Sequence, residues 1–308
     1  MQKITKEHAR NIIIHASKLY NRKEFGEGLD GVRNAIRHLG YVQIDTISVI
    51  NRAHHHVLWT RVPDYKAEYL DILQENEKAI FEHWFHAAAY LPIEDYRYCI
   101  PLMNKVRKEG RFWFKGDEEI LRWVYETVKA KGPLQASDFD SIIDVCENAE
   151  VKEFRKDVKY ALDTLFLNGS FSVVKRIKFE KVFDLTERVL PFITDTACPG
   201  EKEMARYLLD IAVRVNGATA KQDVIHDRTE GKTELDNVIS EEIENGSLVE
   251  VSVEGIKKPY IVKPGLLELD RKAFEFNGVY FLSPFDNLII NRRRIKEVFD
   301  FDYVLECY

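Results

Sequence analysis

Apolar residues recur at helical spacing in Glu118 to Lys131, where Ile120, Leu121, Val124 and Val128 share one face before Gly132-Pro133 ends the run. A second helix is expected over Leu134 to Asp144, with Ser137-Asp138 as N-cap. A third, Lys152 to Leu167, stops at Asn168-Gly169. The pattern then changes to strand-like runs, Ser170 to Ile177 and Lys181 to Leu185, joined by a basic turn. Three helices followed by a hairpin is the order of a winged helix-turn-helix.

The order recurs downstream. Helices are expected over Glu203 to Val215, Thr219 to Asp227 and Thr233 to Glu244, with a hairpin formed by Leu248 to Val253 and Tyr260 to Lys263. The N-terminus carries a looser copy: Lys6 to Tyr20, then Leu29 to Leu39 closed by Gly40, then a strand bearing Gln43 and Asp45. In that strand apolar and polar residues alternate, so Gln43 and Asp45 would share one face while Val42 and Ile44 face the core. The expected fold class is α+β, mainly helical, with three tandem winged helix-turn-helix units and the start of a C-terminal β-rich domain. The expected boundaries are 1–92 for the first unit, 93–117 for a basic linker, 118–190 and 200–265 for the second and third units, and 266–308 for the incomplete β-rich domain.

Composition changes this picture little. A chain of 308 residues, 45% hydrophobic and 31% charged, is that of an ordinary globular protein. Lys3, Lys6, Glu7 and Arg10 interrupt the first twenty residues, so no secretory signal is read there, and no run is long enough to span a bilayer. The cysteines at 99, 146, 198 and 307 form no CxxC pair, which fits a reducing cytoplasm.

Charge distribution says more. The net charge is -6, yet Arg97 to Lys115 holds six basic residues and one acidic, and Lys152 to Lys181 holds eight basic and four acidic. Arg292-Arg293-Arg294 adds a third cluster. Such patches suit phosphate contacts, although solvated helix faces give the same pattern. Lys175, Arg176 and Lys178 in the second wing, with Arg292, Arg293 and Arg294, are the expected contacts, and these position a duplex without reading sequence.

Two further functions are open at this point. A winged-helix transcriptional regulator would use the helix bearing Lys152, Arg155, Lys156 and Lys159, because the third helix of the last unit is strongly acidic. A non-catalytic module would use the winged helices to bind DNA or protein. Asp45 also stands where a helix over Ile47 to Val57 would need its N-cap. His54, His55 and His56 cannot all face one ion from a helix, and His83 with His86 lacks a spaced carboxylate, so no metal is expected. Trp59, Trp84, Phe85 and Trp113 are expected mainly in the core, with an intercalating or stacking role for one of them as the alternative.

Four blocks resemble the bacterial winged-helix DNA glycosylases that unhook interstrand crosslinks and excise alkylated bases, the YcaQ/AlkZ family. They are Gly40–Asp45, Arg52–Arg61, His83–Pro92, and Ser283-Pro284-Phe285-Asp286-Asn287-Leu288 running on to Arg292–Arg294. A QxD tripeptide alone arises by chance roughly once in a chain of this size, so the specificity lies in the combination and order.

The resemblance implies tandem winged helices around a DNA-sized channel, with Gln43 and Asp45 as the catalytic pair at its centre. His54, His55 and Arg61 would contact phosphate or shape the site. The family's self-resistance branch has Gln at the second motif position, so Asp45 implies the broader branch. The implied enzyme is a monofunctional, cofactor-free and monomeric bacterial protein of the cytoplasm and nucleoid, with no lysine Schiff base. Its partner would be double-stranded DNA with alkylated or crosslinked bases. The family pattern continues past Phe301–Tyr308 into the β-rich domain, which implies here either a truncated frame or loss of part of the DNA-clamping surface.

Overall fold

The computed structural model describes residues 1–48, 50–109, 118–142, 149–225, 230–275 and 278–304. Trp113, Lys115, the ends of the helices expected to reach 144 and 227, and the final block from 305 onward lie outside the described residues. The chain forms two compact units: Met1–Tyr69, His86–Tyr90 and Pro199–Tyr308 in the first, Leu70–Phe85 and Leu91–Cys198 in the second.

In the second unit, helix Glu118–Lys131 is followed by the short strand Leu134–Gln135, a 3-10 turn at Ala136–Ser141, helix Ala149–Leu167 and a hairpin of Phe171–Ile177 with Glu180–Leu185. The short strand pairs antiparallel with the second hairpin strand. Val124, Val128, Phe139, Val158, Leu162, Phe171 and Phe183 share one core. Each such side chain contributes about 1.5–3 kcal/mol by leaving water. The expected helix over Leu134 to Asp144 is therefore a strand and a 3-10 turn. Its cap is Gln135 rather than Ser137-Asp138, with the Asp138 carboxylate accepting from the Gln135 N–H at 2.9 Å. The pairing partner on Glu180–Leu185 decides this, and local periodicity does not report it.

The first unit repeats the connectivity. Helix Glu201–Asn216 leads to strand Ala218–Thr219, helices Lys221–Ile225 and Leu235–Glu244, and strands Val249–Val253 and Tyr260–Val262. Strand Gln2–Ile4 joins this sheet, parallel to Val249–Val253. The chain's first residues thus belong with 200–265 rather than to a separate unit of residues 1–92. The reason is burial: Ile4, Ile12, Ile13, Val251, Tyr260, Ile295 and Val298 form one core. Gly217 permits this packing, since a Cβ there would lie 2.7 Å from the Ala16 Cβ.

The C-terminal segment also departs from expectation. Among its described residues, 266–304 contains no strand. It holds a 3-10 turn at Arg271–Phe274, an irregular stretch and helix Arg292–Phe299, whose Ile295 and Val298 enter the core. Within the irregular stretch, arginine side chains donate to the Pro284, Asn287, Leu288 and Ile289 carbonyls.

Helix Gly28–Leu39 buries Val32, Ala35, Ile36 and Leu39 and ends on Gly40. At φ 73° Gly40 takes a conformation that side chains resist, and its N–H closes on the Ile36 carbonyl at 2.9 Å. The chain emerges in the short strand Val42–Gln43, which pairs antiparallel with Ala89 and Tyr90.

Candidate active site

Gln43 lies at the end of that strand, and Asp45 just beyond it. The Ile44 N–H still donates to the Ala88 carbonyl at 2.8 Å, so the backbone stays extended between them. Burial does not follow the expected alternation. Val42, Gln43, Ile44 and Asp45 are all buried, the two polar residues at 8% and 6% exposure. The cause is a second layer over the polar side: His86 places Nε2 3.2 Å from the Gln43 amide oxygen, and its ring stands edge-on to Tyr41.

Asp45 does not cap a helix. Its Oδ1 accepts the Ile47 N–H at 2.6 Å in a tight local turn, and the expected helix from Ile47 begins only at Ala53, with Arg52 as N-cap residue. One carboxylate oxygen is thereby fixed by the backbone. Among the described residues neither Asp45 Oδ2 nor the Gln43 amide nitrogen has a protein partner. An acceptor and a pair of N–H donors thus stand two residues apart on a held segment. That set can orient water at an electrophilic carbon and stabilise positive charge developing beside it.

Helix Ala53–Trp59 supplies the surroundings. His54 is buried, with its ring 4.2 Å from His55 and edge-on to Tyr90. His55 Nδ1 is 2.6 Å from the Tyr65 hydroxyl. Burial and the neighbouring Arg52 charge hold His55 below the usual imidazole range, against a smaller opposing effect of Glu68. A neutral, half-buried ring shapes the site but does not present a cation to phosphate.

Arg61 also departs from the phosphate-contact expectation. Its guanidinium has no exposed surface and grips both oxygens of Asp286, which is equally buried, at 2.6 and 3.0 Å. The Ser17 and Val57 carbonyls take further N–H groups at 3.2 Å. The next residue, Asn287, donates from Nδ2 to the Tyr41 carbonyl at 3.2 Å. Asp286 and Asn287 therefore tie helix Ala53–Trp59 and the Gln43 strand together from behind.

The arginine run continues this clamp, with bonds to carbonyls and carboxylates of the protein itself. Arg292 donates to the Ile289 and Pro284 carbonyls and lies over the Tyr303 ring. Arg293 pairs with Asp223 and Glu297, and buried Arg294 donates to the Asn287 and Leu288 carbonyls.

In the second unit, Lys175 pairs with Glu75, and Arg176 forks onto the buried Glu82 at 2.9 and 2.7 Å. Lys178, exposed at the hairpin turn with φ 49°, has no ion pair among the described residues. Of the six basic residues expected at phosphate, Lys178 is the one whose charge faces solvent alone. Trp59 and Trp84 are exposed at 49% and 39% rather than in the core, and Arg22 lies over the Trp59 ring.

Sequence reasoning weighed His86 only as a metal ligand and did not single out Asp286 and Asn287 individually. They lie in blocks that carry the resemblance, but linear spacing does not show that residue 287 reaches residue 41. His83 rests against Phe166 in the second unit, and His86 belongs to the first. Among the described residues no group of three potential metal ligands occurs, and no helix is long and apolar enough to cross a membrane.

The chain is mainly helical α+β, with Gln43 and Asp45 buried together at and just beyond one short strand. Comparison with known proteins makes the class specific. The family model described as DNA glycosylase AlkZ-like matches residues 36–308, so the chain belongs to the AlkZ-like DNA glycosylases, which hydrolyse N-glycosyl bonds in DNA. Among solved structures, the Streptomyces sahachiroi DNA glycosylase AlkZ is similar in fold, with a TM-score of 0.63 at 14% identity, covering 93% of this chain and 77% of that one.

Proposed function

We propose that the enzyme acts as a monomer on double-stranded DNA, releasing cationic N-alkylated purines and unhooking interstrand crosslinks, with Gln43 and Asp45 as the catalytic pair. The observation that carries this reading is the Asp45 carboxylate, with one oxygen pinned by the Ile47 N–H at 2.6 Å and the other open beside the Gln43 amide.

Breaking an N-glycosidic bond develops oxocarbenium character on the sugar, as in glycoside hydrolysis. A base alkylated on a ring nitrogen is already cationic and leaves neutral, so general-acid help adds little. What the sugar needs is an anion near its anomeric carbon and a directed water. Asp45 Oδ2 supplies the charge and accepts the water proton, while the Gln43 N–H groups hold that water or an adjacent phosphodiester. His86, bonded to the Gln43 oxygen, sets which end of the amide carries the donors. Lys178 contacts phosphate, whereas Arg61 and Arg292–Arg294 act through the clamp.

The test is incubation with duplexes carrying N7-methylguanine or a nitrogen-mustard crosslink, followed by alkaline cleavage at abasic sites. Asp45→Asn is expected to slow release by about 10²- to 10³-fold. Release by Asp45→Asn and Gln43→Ala at the wild-type rate would refute the mechanism.

A further inference from the structure

Directly after Asp45 the described residues 46–48 and 50–52 form a loop, with a bridge between Ser48 and Arg52. Ile50, at its tip, is 99% exposed, and Ile47, at its base, is 46% exposed. The strand before it buries Val42 and the helix after it buries Ala53, Val57 and Leu58, whereas these two isoleucines face solvent. A lone exposed isoleucine would carry no weight. Two further observations make this one informative.

The first is the anchor. The N–H of Ile47 is the group that pins Asp45 Oδ1, so the loop begins on the carboxylate itself. Beyond the loop, the Asn51 side chain accepts the Arg52 N–H at 2.8 Å, where helix Ala53–Trp59 starts. The second is charge. From Thr46 to Pro63 the sequence has no acidic residue, and Thr46, Ser48 and Asn51 are exposed around the isoleucines. An apolar tip ringed by small polar groups, in a segment without negative charge, suits a base stack lined by phosphates rather than an apolar protein face.

We propose that Ile50, supported by Ile47, is a wedge that enters the DNA base stack beside the lesion. Apolar side chains inserted between base steps unstack and kink a duplex. An enzyme that must expose an anomeric carbon for attack gains from holding that step open. Because the loop is tied to Asp45, the wedge also sets the carboxylate's position relative to the opened nucleotide. Ile50 is thus a positioning residue. The inference rests on Asp45 being the catalytic carboxylate.

The test uses the full chain and an N7-methylguanine substrate in two forms, one fully paired and one with the lesion in a short unpaired bubble. Ile50→Ala is expected to lose about tenfold more single-turnover rate on the paired duplex than on the bubble, and Ile50→Leu to restore it. In parallel, 2-aminopurine next to the lesion reports unstacking in an Asp45→Asn background. Its fluorescence is expected to rise on binding and to fall back when Ile50→Ala is added.

Equal losses on both substrates, or an unchanged 2-aminopurine signal in the double variant, would overturn the wedge. Ile50 is exposed, so failure to fold is not the expected outcome of its substitution, and thermal unfolding of each variant checks this. If Asp45→Asn still released base at full rate, the catalytic reading would fail. The fluorescence difference would still report the wedge, so the two failures are distinguishable.

Discussion

Replacing Asp286 by Asn removes one charge, keeps the side chain's shape and leaves the Arg61 guanidinium buried beside it. In the native protein two charge-assisted hydrogen bonds at 2.6 and 3.0 Å join the pair, and neither side chain has exposed surface. The remaining acceptors on Arg61, the Ser17 and Val57 carbonyls and the Thr60 hydroxyl, lie at 3.2 to 3.3 Å and carry no formal charge. Hydrogen bonds to charged groups contribute about 1.5–3 kcal/mol each, and stranding one member of a buried pair costs about 3–5 kcal/mol. The upper figure approaches the whole stability of a marginal domain. Asp286→Asn is therefore expected to lower unfolding free energy by about 3–5 kcal/mol in urea titrations followed by far-UV circular dichroism. The double variant Arg61→Met with Asp286→Leu removes both charges and should recover at least half of that loss. A cost below about 1 kcal/mol, or a double variant no more stable than Asp286→Asn, would refute the view that this ion pair ties the C-terminal loop to the site helix.

Burial pushes the His38 imidazole down to about 4, and its Nε2–H donates to the Ala16 carbonyl at 2.7 Å. Between about pH 6.5 and pH 4 the unfolded chain takes up a proton that the folded chain refuses, so stability falls with falling pH across that window and is full above it. The loss approaches about 3 kcal/mol, and His38→Gln should flatten the slope in urea midpoints measured from pH 4.5 to 7.5. Lys178→Ala should reduce the salt dependence of DNA binding by about one unit of log–log slope, read by fluorescence anisotropy across a salt series. Arg293→Ala should leave that slope unchanged and lower the thermal midpoint instead, since its partners are Asp223 and Glu297. His86→Phe keeps a ring against Tyr41 but frees the Gln43 amide; release should slow by about tenfold, less than in Asp45→Asn. An unchanged rate would show that the His86 bond does not position the amide.

Helix Glu118–Lys131 has in the structure the bounds its periodicity indicates, and the glycines after Leu39 and Asn216 stop their helices as expected. Hairpin strands fall within a residue or two of the alternating runs. Periodicity, caps and glycine stops are properties of neighbouring residues, so a linear reading contains them. In Leu134–Ser141 a strand pairing with residues 180–185 outweighs a weak helical pattern.

The basic residues show the sharper limit. Arg61, Arg176 and Arg292–Arg294 read as surface charge because a sequence lists cations without their partners. Their partners are Asp286, Glu82, Asp223 and a set of carbonyls, in most cases tens to hundreds of residues away or on a loop without periodicity. By itself the sequence indicated most of the helices, their glycine stops, the hairpins and the placing of Gln43 and Asp45 two residues apart along an extended segment, because each is a local pattern. Only the tertiary structure decided that both polar residues are buried, that Ile47 rather than a helix holds Asp45, and that Arg61, Arg176 and Arg293 pair with carboxylates while Arg292 and Arg294 bond to carbonyls. Burial and charge pairing depend on which distant segments meet, and hydrophobic packing settles that after the local elements have formed.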